Sequence, residues 1–449
     1  MNTERPKPFG QRATASIFWL VIERVIKLCG AIVVGGMIAR HLGPDDYGRY
    51  GAALGLATLA KEFVVLGLDR IIRRELCLKP GDTGRLVGTA VTTALTLAFI
   101  VALVLTALAH AYIADPGTRR IAMLLVWMAL PQAFYAGELW FESQCNTRPL
   151  VWARNAVWLT FQAARLLLIW LNADLMGFAL VACAEWAVTY AAVVWIFHRH
   201  TGPQTHLEFA PPVLRQWIRE GWPLIVMLVI GSTADRLMVL LLQHLTTSEE
   251  AGYLSAALRI TEVWWSLSAL IASVILPVLT RHRVENEQAF NQGLRQYADC
   301  SLLLGTVAAV AMTFAAPFIV PLVFGAKFAP AAPVLSVLFW AGPAIYPGVA
   351  RSQILLISGK QTLEIPVVAA LAIFSVVLVA CLAPAFGALG AAIGITVAQW
   401  LAIYGVAALA PRLRQASLPQ WRAFSIPWRW RALWNELRAL AVTANLLRS

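Results

Sequence analysis

The sequence predicts an all-α integral membrane protein of about twelve spans, built as two related six-helix halves around a polar central cavity. Composition is the first observation behind this. Of 449 residues, 59% are hydrophobic and 13% charged, with a mean hydropathy of +0.68, whereas roughly a quarter of a soluble domain is charged. The second is a succession of apolar stretches, each near the roughly 20 residues that a helix needs to cross a bilayer. The third is an internal echo. Arg40-His-Leu-Gly-Pro-Asp-Asp-Tyr-Gly-Arg-Tyr-Gly-Ala-Ala53 returns, altered, as His244-Leu-Thr-Thr-Ser-Glu-Glu-Ala-Gly-Tyr-Leu-Ser-Ala-Ala257. Aligned on the acidic pairs, Gly48 falls on Gly252 and Ala52-Ala53 on Ala256-Ala257. Ala184-Glu-Trp-Ala-Val-Thr-Tyr190 likewise reappears as Ala398-Gln-Trp-Leu-Ala-Ile-Tyr404. Two echoes in one order indicate a duplicated unit.

In chain order the spans read 14–38, 48–68, 84–113, 119–140, 150–171 and 175–197, then 217–243, 250–279, 296–324, 331–357, 362–384 and 387–410. This divides the chain into a polar N-terminus over 1–13, an N-terminal bundle over 14–197, a linker over 198–216, a C-terminal bundle over 217–410 and a tail over 411–449. The linker is polar and carries Pro203, Pro211 and Pro212. Asp45-Asp46 and Glu249-Glu250 open equivalent helices, where acidic residues suit the N-terminal dipole. Gly48 and Gly252 would allow close packing there.

A net charge of +12 could suggest nucleic acid, but the cations lie in short runs between apolar segments, which is how topology is encoded. Alternate connections carry Arg5/Lys7/Arg12, Arg70/Arg73/Arg74/Lys79/Arg85, Arg148, Arg199/Arg215, Arg281/Arg283/Arg295 and Lys360. The opposite set has only Arg40, Arg49, Arg119, Arg120 and Lys327. Positive-inside placement puts both termini in the cytoplasm and keeps the helix count even. The tail, basic and with Trp421, Trp428, Trp430 and Trp434, reads as an amphipathic helix on the anionic inner leaflet. Eighteen Trp in all fit aromatic belts. The six Cys are scattered without metal spacing, so neither a disulfide framework nor a metal site is expected. No cleavable signal peptide is expected, because the first apolar stretch is too long and too charged.

A charge at bilayer depth is costly unless it faces protein or water, so each one is a candidate functional residue. Arg24, Arg165, Arg236 and Arg259 lie deepest and are the candidate substrate-binding set, with Glu23, Asp235 and Glu262 as candidate partner or ion-coupling carboxylates. Arg154 and Arg351 sit about a turn from the cytoplasmic ends and are candidate mouth residues. Structural ion pairing or snorkelling is the competing reading for all of them. More Arg than acid in the deep set points to a positive, wet cavity that accepts an anion. Arg suits phosphate oxygens. Pro343 and Pro347 fall inside the tenth span and are candidate hinges, because each removes a backbone donor. Kinked helices are tolerated where they line a cavity. The run Gly387-Ala-Leu-Gly-Ala-Ala-Ile-Gly394 permits close helix packing.

Ala39-Arg40-His-Leu-Gly-Pro-Asp-Asp-Tyr-Gly-Arg-Tyr50 resembles the signature after the first helix of the Wzx-type polysaccharide flippases, in the MATE-like MOP superfamily. Gly67-Leu-Asp-Arg-Ile-Ile-Arg-Arg-Glu75, Phe324-Gly-Ala-Lys-Phe-Ala-Pro-Ala-Ala-Pro-Val-Leu335 and Pro384-Ala-Phe-Gly-Ala-Leu-Gly-Ala-Ala-Ile393 are similar to that family in the same order. The resemblance implies a MATE-like pair of six-helix bundles in the bacterial inner membrane. These would flip an undecaprenyl-pyrophosphate-linked oligosaccharide by alternating access, for exopolysaccharide or O-antigen (lipopolysaccharide) synthesis. It implies no cofactor, a cycle driven by H+, Na+ or membrane potential, and a polysaccharide polymerase and chain-length machinery as partners. A drug or cation exporter of the same superfamily is the first alternative, although each deep carboxylate has an Arg or Lys within four residues. A membrane glycan polymerase or ligase is the second, although no large outer loop or catalytic cluster is visible. An assembly scaffold is the third.

Overall fold

The computed structural model describes residues 9–202, 206–285, 287–357 and 360–409, with Arg414 and Trp421 beyond them. The expected amphipathic tail lies almost wholly outside the described residues.

The first half comprises α1 (Phe9–Val65), α2 (Asp69–Leu78), α3 (Thr83–Tyr112), the broken run α4 (Pro116–Val126), α5 (Ala129–Gln132) and α6 (Ala136–Ser143), then α7 (Arg148–Trp170) and α8 (Leu175–Thr201). The second comprises α9 (Pro211–Leu245), α10 (Ser248–Glu285), α11 (Glu287–Phe324), α12 (Ala331–Phe339), α13 (Gly342–Ile357), α14 (Ile365–Trp400) and α15 (Val406–Leu409). No strand occurs among the described residues. The second half opens at Pro211, ahead of the expected residue 217, because Pro211-Pro212 supplies the preset φ that a first helical turn accepts.

Eight stretches among the described residues are long and apolar enough to cross a membrane. Two of them are hairpins. Gly43 (φ 75°) interrupts α1, and Gly387 (φ 58°) interrupts α14. A straight α1 would hold Ala31 and Lys61 about 45 Å apart, yet both line one cavity, so the chain reverses at Gly43. Across Gly387 the returning rod lies so close that a Cβ on Gly390 would overlap the Leu382 carbonyl. Counting both reversals, and adding α7 and α10, the described residues form six long rods on either side of the 202–211 connection. This is consistent with about twelve spans.

The rods pack with small residues inward and large ones outward. On α3, Ala90, Ala94, Ala98 and Ala102 are buried at four-residue spacing, while Phe99, Ile100, Leu103 and Val104 are exposed. That polarity suits helices in lipid, where close backbone approach replaces hydrophobic burial as the packing force.

Alternate connections gather at two ends. At the Gly43 end, Arg49 meets Asp115 at 3.5 Å, His41 bonds the Ala173 carbonyl at 2.9 Å, and Ala388 N–H donates to Glu250 at 2.6 Å. Arg40 donates to the Val323 carbonyl at 3.0 Å and to that of Leu322, closing the C-terminus of α11. At the opposite end Arg74 meets Glu220 at 2.6 Å and Arg73 meets Glu142 at 2.9 Å.

The two echoed motifs pack on one another at the Gly43 end. A Cβ on Gly48 would overlap the Ser248 carbonyl, and one on Gly252 would overlap the Pro44 carbonyl. Gly51 faces Ser255 and Gly55 faces the Arg236 carbonyl, so three glycines on one face of α1 form the seam with α9 and α10. Glu249 and Glu250 stand in the first turn of α10, and members of both acidic pairs also make contacts beyond that dipole role. Asp45 and Asp46 each hold Arg49 at 3.1 Å. Thr247 accepts the Glu250 N–H at 3.2 Å and so caps α10, while Glu250 caps the returning rod of α14.

Replacing Gly48 or Gly252 by Ala should lower the melting temperature of the detergent-solubilised protein by about 1–3 °C, from overlap costing roughly 1–3 kcal/mol. Gly81→Ala, where a Cβ would meet nothing within 4 Å, is the control and should melt as wild type. Equal melting of all three variants would contradict the seam.

Candidate functional site

Between the halves lies a cavity of about 330 Å³, walled by both rods of α1 together with α7, α8, α9 and α10. Its position follows from the sequence locally. Glycine keeps α1 against α9 and α10, and the reversal at Gly43 brings residues 31–38 and 47–61 back onto one space.

Of the four deep arginines, Arg165, Arg236 and Arg259 line this cavity, as does Glu262. Three chain segments far apart in sequence thus place arginines on one space. The side chains of Glu23, Arg24 and Asp235 lie outside the described residues.

Two of the three arginines have counter-charges among the described residues, and of these carboxylates Glu262 is one that the sequence singles out while Glu185 and Glu62 are not. Arg165 donates to Glu185 of α8 and, at 2.5 Å, to Gln162 one turn before it. Arg236 bonds Glu62 at 3.2 Å and Glu262 at 2.9 Å, bridging α1 and α10. Glu62 and Glu262 reach Arg236 from two other helices across the seam, whereas the side chain of Asp235, its sequence neighbour, lies outside the described residues.

Arg259 differs from both. Glu262 is one turn away on the same helix but is engaged by Arg236, and Arg259 forms no ion pair among the described residues. Its Nε is buried without a hydrogen-bond partner. It faces Gly35, where a Cβ would stand 3.4 Å from that nitrogen. The lining also holds Lys61, whose ammonium sits 3.7 Å over the Trp186 ring. Counting Lys61 and the three arginines against Glu185, Glu262 and the adjoining Glu62, four cations face three carboxylates. Among the described residues Arg259 and Lys61 are thus the two basic side chains of the lining that no carboxylate holds.

The two candidate mouth residues lie elsewhere. Arg351 is 1% exposed and holds Glu364 through two nitrogens at 3.0 and 3.1 Å, with a third bond of 2.8 Å to the Ile403 carbonyl. It lines no mouth: it joins α13 to the start of α14 and to the π-turn over 401–405. Arg154 pairs with Glu138 at 3.0 Å and stands outside the cavity lining. Pro343 and Pro347 do mark a break, but the helix stops before them, at Trp340-Ala341. The Ala344 N–H turns to Ala341 at 3.0 Å, and the freed Trp340 carbonyl accepts the Trp400 indole N–H at 2.8 Å. Tyr404 reaches the Pro343 carbonyl at 3.4 Å, so the break is cross-braced by α14 and the π-turn.

Sequence reasoning missed Glu185, Gln162, Glu62, Tyr47 and Tyr50 at this site. Two signals were present. Gln162 and Arg165 share a helix face, and Glu185 stands in the echoed Ala-Glu-Trp stretch where the second copy has Gln399.

Residues 13–283 match the family described as polysaccharide biosynthesis protein. No curated protein sequence matches the chain. In fold it is similar to an inward-facing multidrug resistance MATE family transporter of the MOP superfamily, at 16% identity, with 94% of this chain and 99% of that one covered and a TM-score of 0.68. It is also similar to lipid II flippase MurJ in an inward closed conformation, at 10% identity, with 93% of each chain covered and a TM-score of 0.67.

The Arg351–Glu364 pair gives a test that separates structure from transport. Glu364→Gln should orphan a buried charge, costing about 3–5 kcal/mol, and so deplete folded protein. Arg351→Met with Glu364→Leu should restore the folded fraction, read by size-exclusion chromatography of the solubilised protein.

Proposed function

The chain belongs to the polysaccharide biosynthesis protein family, and on that premise we propose that it flips an undecaprenyl-pyrophosphate-linked oligosaccharide across the bacterial cytoplasmic membrane. The observation that carries this reading is Arg259, a half-buried cation with a buried, unpaired Nε and no ion pair among the described residues, in a cavity between two halves. A diphosphate is the part of such a substrate that most opposes crossing a bilayer, and a guanidinium in a low-dielectric site compensates it through charge-assisted bonds. Arg165 and Arg236 contribute positive potential and can rotate toward the ligand, but each starts from a carboxylate. Arg24 stays in the proposed set on its sequence position.

In this reading the termini are cytoplasmic by the Lys/Arg asymmetry of the connections. The Gly43 end then faces outward, and the glycine seam there holds the outer side shut while the cavity is loaded from within. Transport follows from the halves parting along α1 against α9 and α10 as the inner contacts close. The exporter alternative finds no support among the described residues of the cavity, where Glu185, Glu262 and Glu62 all bond arginine.

The reading is tested in vesicles carrying the purified protein and a fluorescent undecaprenyl-pyrophosphate oligosaccharide, with leaflet access read by a membrane-impermeant quencher. Wild type should exchange the lipid between leaflets well above protein-free vesicles. Arg259→Gln should slow exchange about tenfold or more, since a hydrogen bond to a charged group is worth ~1.5–3 kcal/mol. Arg259→Lys should recover part of that. Exchange by wild type no faster than in empty vesicles would overturn the proposal.

A further inference from the structure

Away from the central cavity, towards the Gly43 end, the end of α3 and the facing sides of α9 and α14 enclose a groove of about 1030 Å³. All three belong to stretches long and apolar enough to cross a membrane, and Ile373, Val376 and Val377 in its wall are exposed. Along α9 the lining runs from Val229 to His244, a rise of about 22 Å. A bilayer with its headgroups is ~40–45 Å thick, so the groove is about one leaflet deep. From Ile230 to Leu241 it is apolar apart from Thr233, and it ends in Asp115, Gln243 and His244. An apolar length of one leaflet under a polar end matches a phospholipid. An undecaprenyl chain is longer than one leaflet and would overrun it.

The polar end selects the headgroup. Gln243 donates its amide N–H groups to Thr118 at 2.7 Å and Ser248 at 2.9 Å, while its Oε1 is buried with no hydrogen-bond partner. Asp115 lines the same end. Its counter-ion, Arg49, is shared with Asp45 and Asp46, so one guanidinium answers three carboxylates. Arg119 and Arg120 follow on α4, but neither lines the groove nor pairs with these carboxylates among the described residues. A buried acceptor in want of a donor, beside surplus negative charge, calls for a cation that carries N–H groups. A primary ammonium meets both needs, whereas a quaternary ammonium has no hydrogen to donate. His244, exposed on the same rim, is a donor for the phosphate of such a lipid.

We propose that this groove seats one phosphatidylethanolamine molecule, its acyl chains along α9 and α14 and its ammonium at Asp115 and Gln243. The end of α3 belongs to the first half and α9 and α14 to the second, so the lipid bridges the halves on the membrane side. In the orientation given above it comes from the outer leaflet. The site stands apart from the cavity, and its occupant does not depend on which lipid the cavity carries.

The test is native mass spectrometry of the full-length protein in detergent, titrated with phosphatidylethanolamine, phosphatidylcholine and phosphatidylglycerol of the same acyl chains. Wild type should bind its first phosphatidylethanolamine about tenfold more tightly than phosphatidylcholine, an order set by charge-assisted hydrogen bonds. Val377→Trp fills the groove from an exposed position, so folding should persist while the preferred binding is lost. Asp115→Asn keeps an N-cap for α4 and removes the anion. It should abolish the preference and leave phosphatidylcholine binding unchanged. Equal binding of the ethanolamine and choline lipids by wild type, or a preference for phosphatidylglycerol, would overturn the proposal. So would a preference that survives in both variants. Displacement of the bound ethanolamine lipid by undecaprenyl diphosphate in wild type, with none in Val377→Trp, would give the groove to the prenyl chain and overturn it as well.

Discussion

Two short stretches of backbone approach each other closely at the Gly43 end. Gly48 lies on the Ser248 carbonyl and Gly252 on the Pro44 carbonyl, each copy of a duplicated motif touching the other. Helices in lipid gain little by burying leucine from leucine-like solvent, so contact between backbones is what holds them. The remaining geometry depends on that approach. Gly51 and Gly55 extend the line along α1, and opposite it stand Ser255 and the Arg236 carbonyl. The cavity is the space left on the neighbouring side of that seam.

Electrostatics inside this space is a matter of near-complete cancellation. A lone ion in a medium of low dielectric is too costly to keep, and Arg cannot shed its proton. The chain therefore supplies Glu185 for Arg165, and Glu62 with Glu262 for Arg236. Two lining cations are left over among the described residues: Arg259, with no ion pair, and Lys61, which rests on the Trp186 ring. Arg351 is the counter-example. It is more deeply buried than Arg259, yet Glu364 and the Ile403 carbonyl occupy its donors, and its role is to fasten helices.

Breaks in the helices follow the same economy of backbone groups. Proline near 343 frees a carbonyl at Trp340, and the tryptophan and tyrosine of Trp400-Leu-Ala-Ile-Tyr404 reach over to bond the broken stretch. This is the second copy of the Ala-Glu-Trp…Tyr echo. In the first copy Trp186 instead carries Lys61 over its ring and Tyr190 donates to Gln132, next to Pro131. Both copies thus place an aromatic pair beside a proline-broken helix, which gives the duplication a physical purpose.

Apolar length, charge spacing and the echoed motif were enough, read along the chain, to establish a multi-pass helical protein in two related halves and to select Arg165, Arg236 and Arg259 as convergent. Those conclusions depend on quantities local to the chain: the length of an apolar stretch, the cost of a charge within it, and glycine at a repeated place. Partnership is not local. Asp235 and Glu262 looked like the partners of Arg236 and Arg259 because they are near in sequence, yet the seam brings Glu62 and Glu262 to Arg236 from two other helices and leaves Arg259 without one. The Ser255 hydroxyl carries no charge to mark it in a sequence, and only the fold shows that it is buried with no hydrogen-bond partner among the described residues. Which ion is neutralised and which is left over is decided by distances of about 3 Å between helices, and only the tertiary structure sets those.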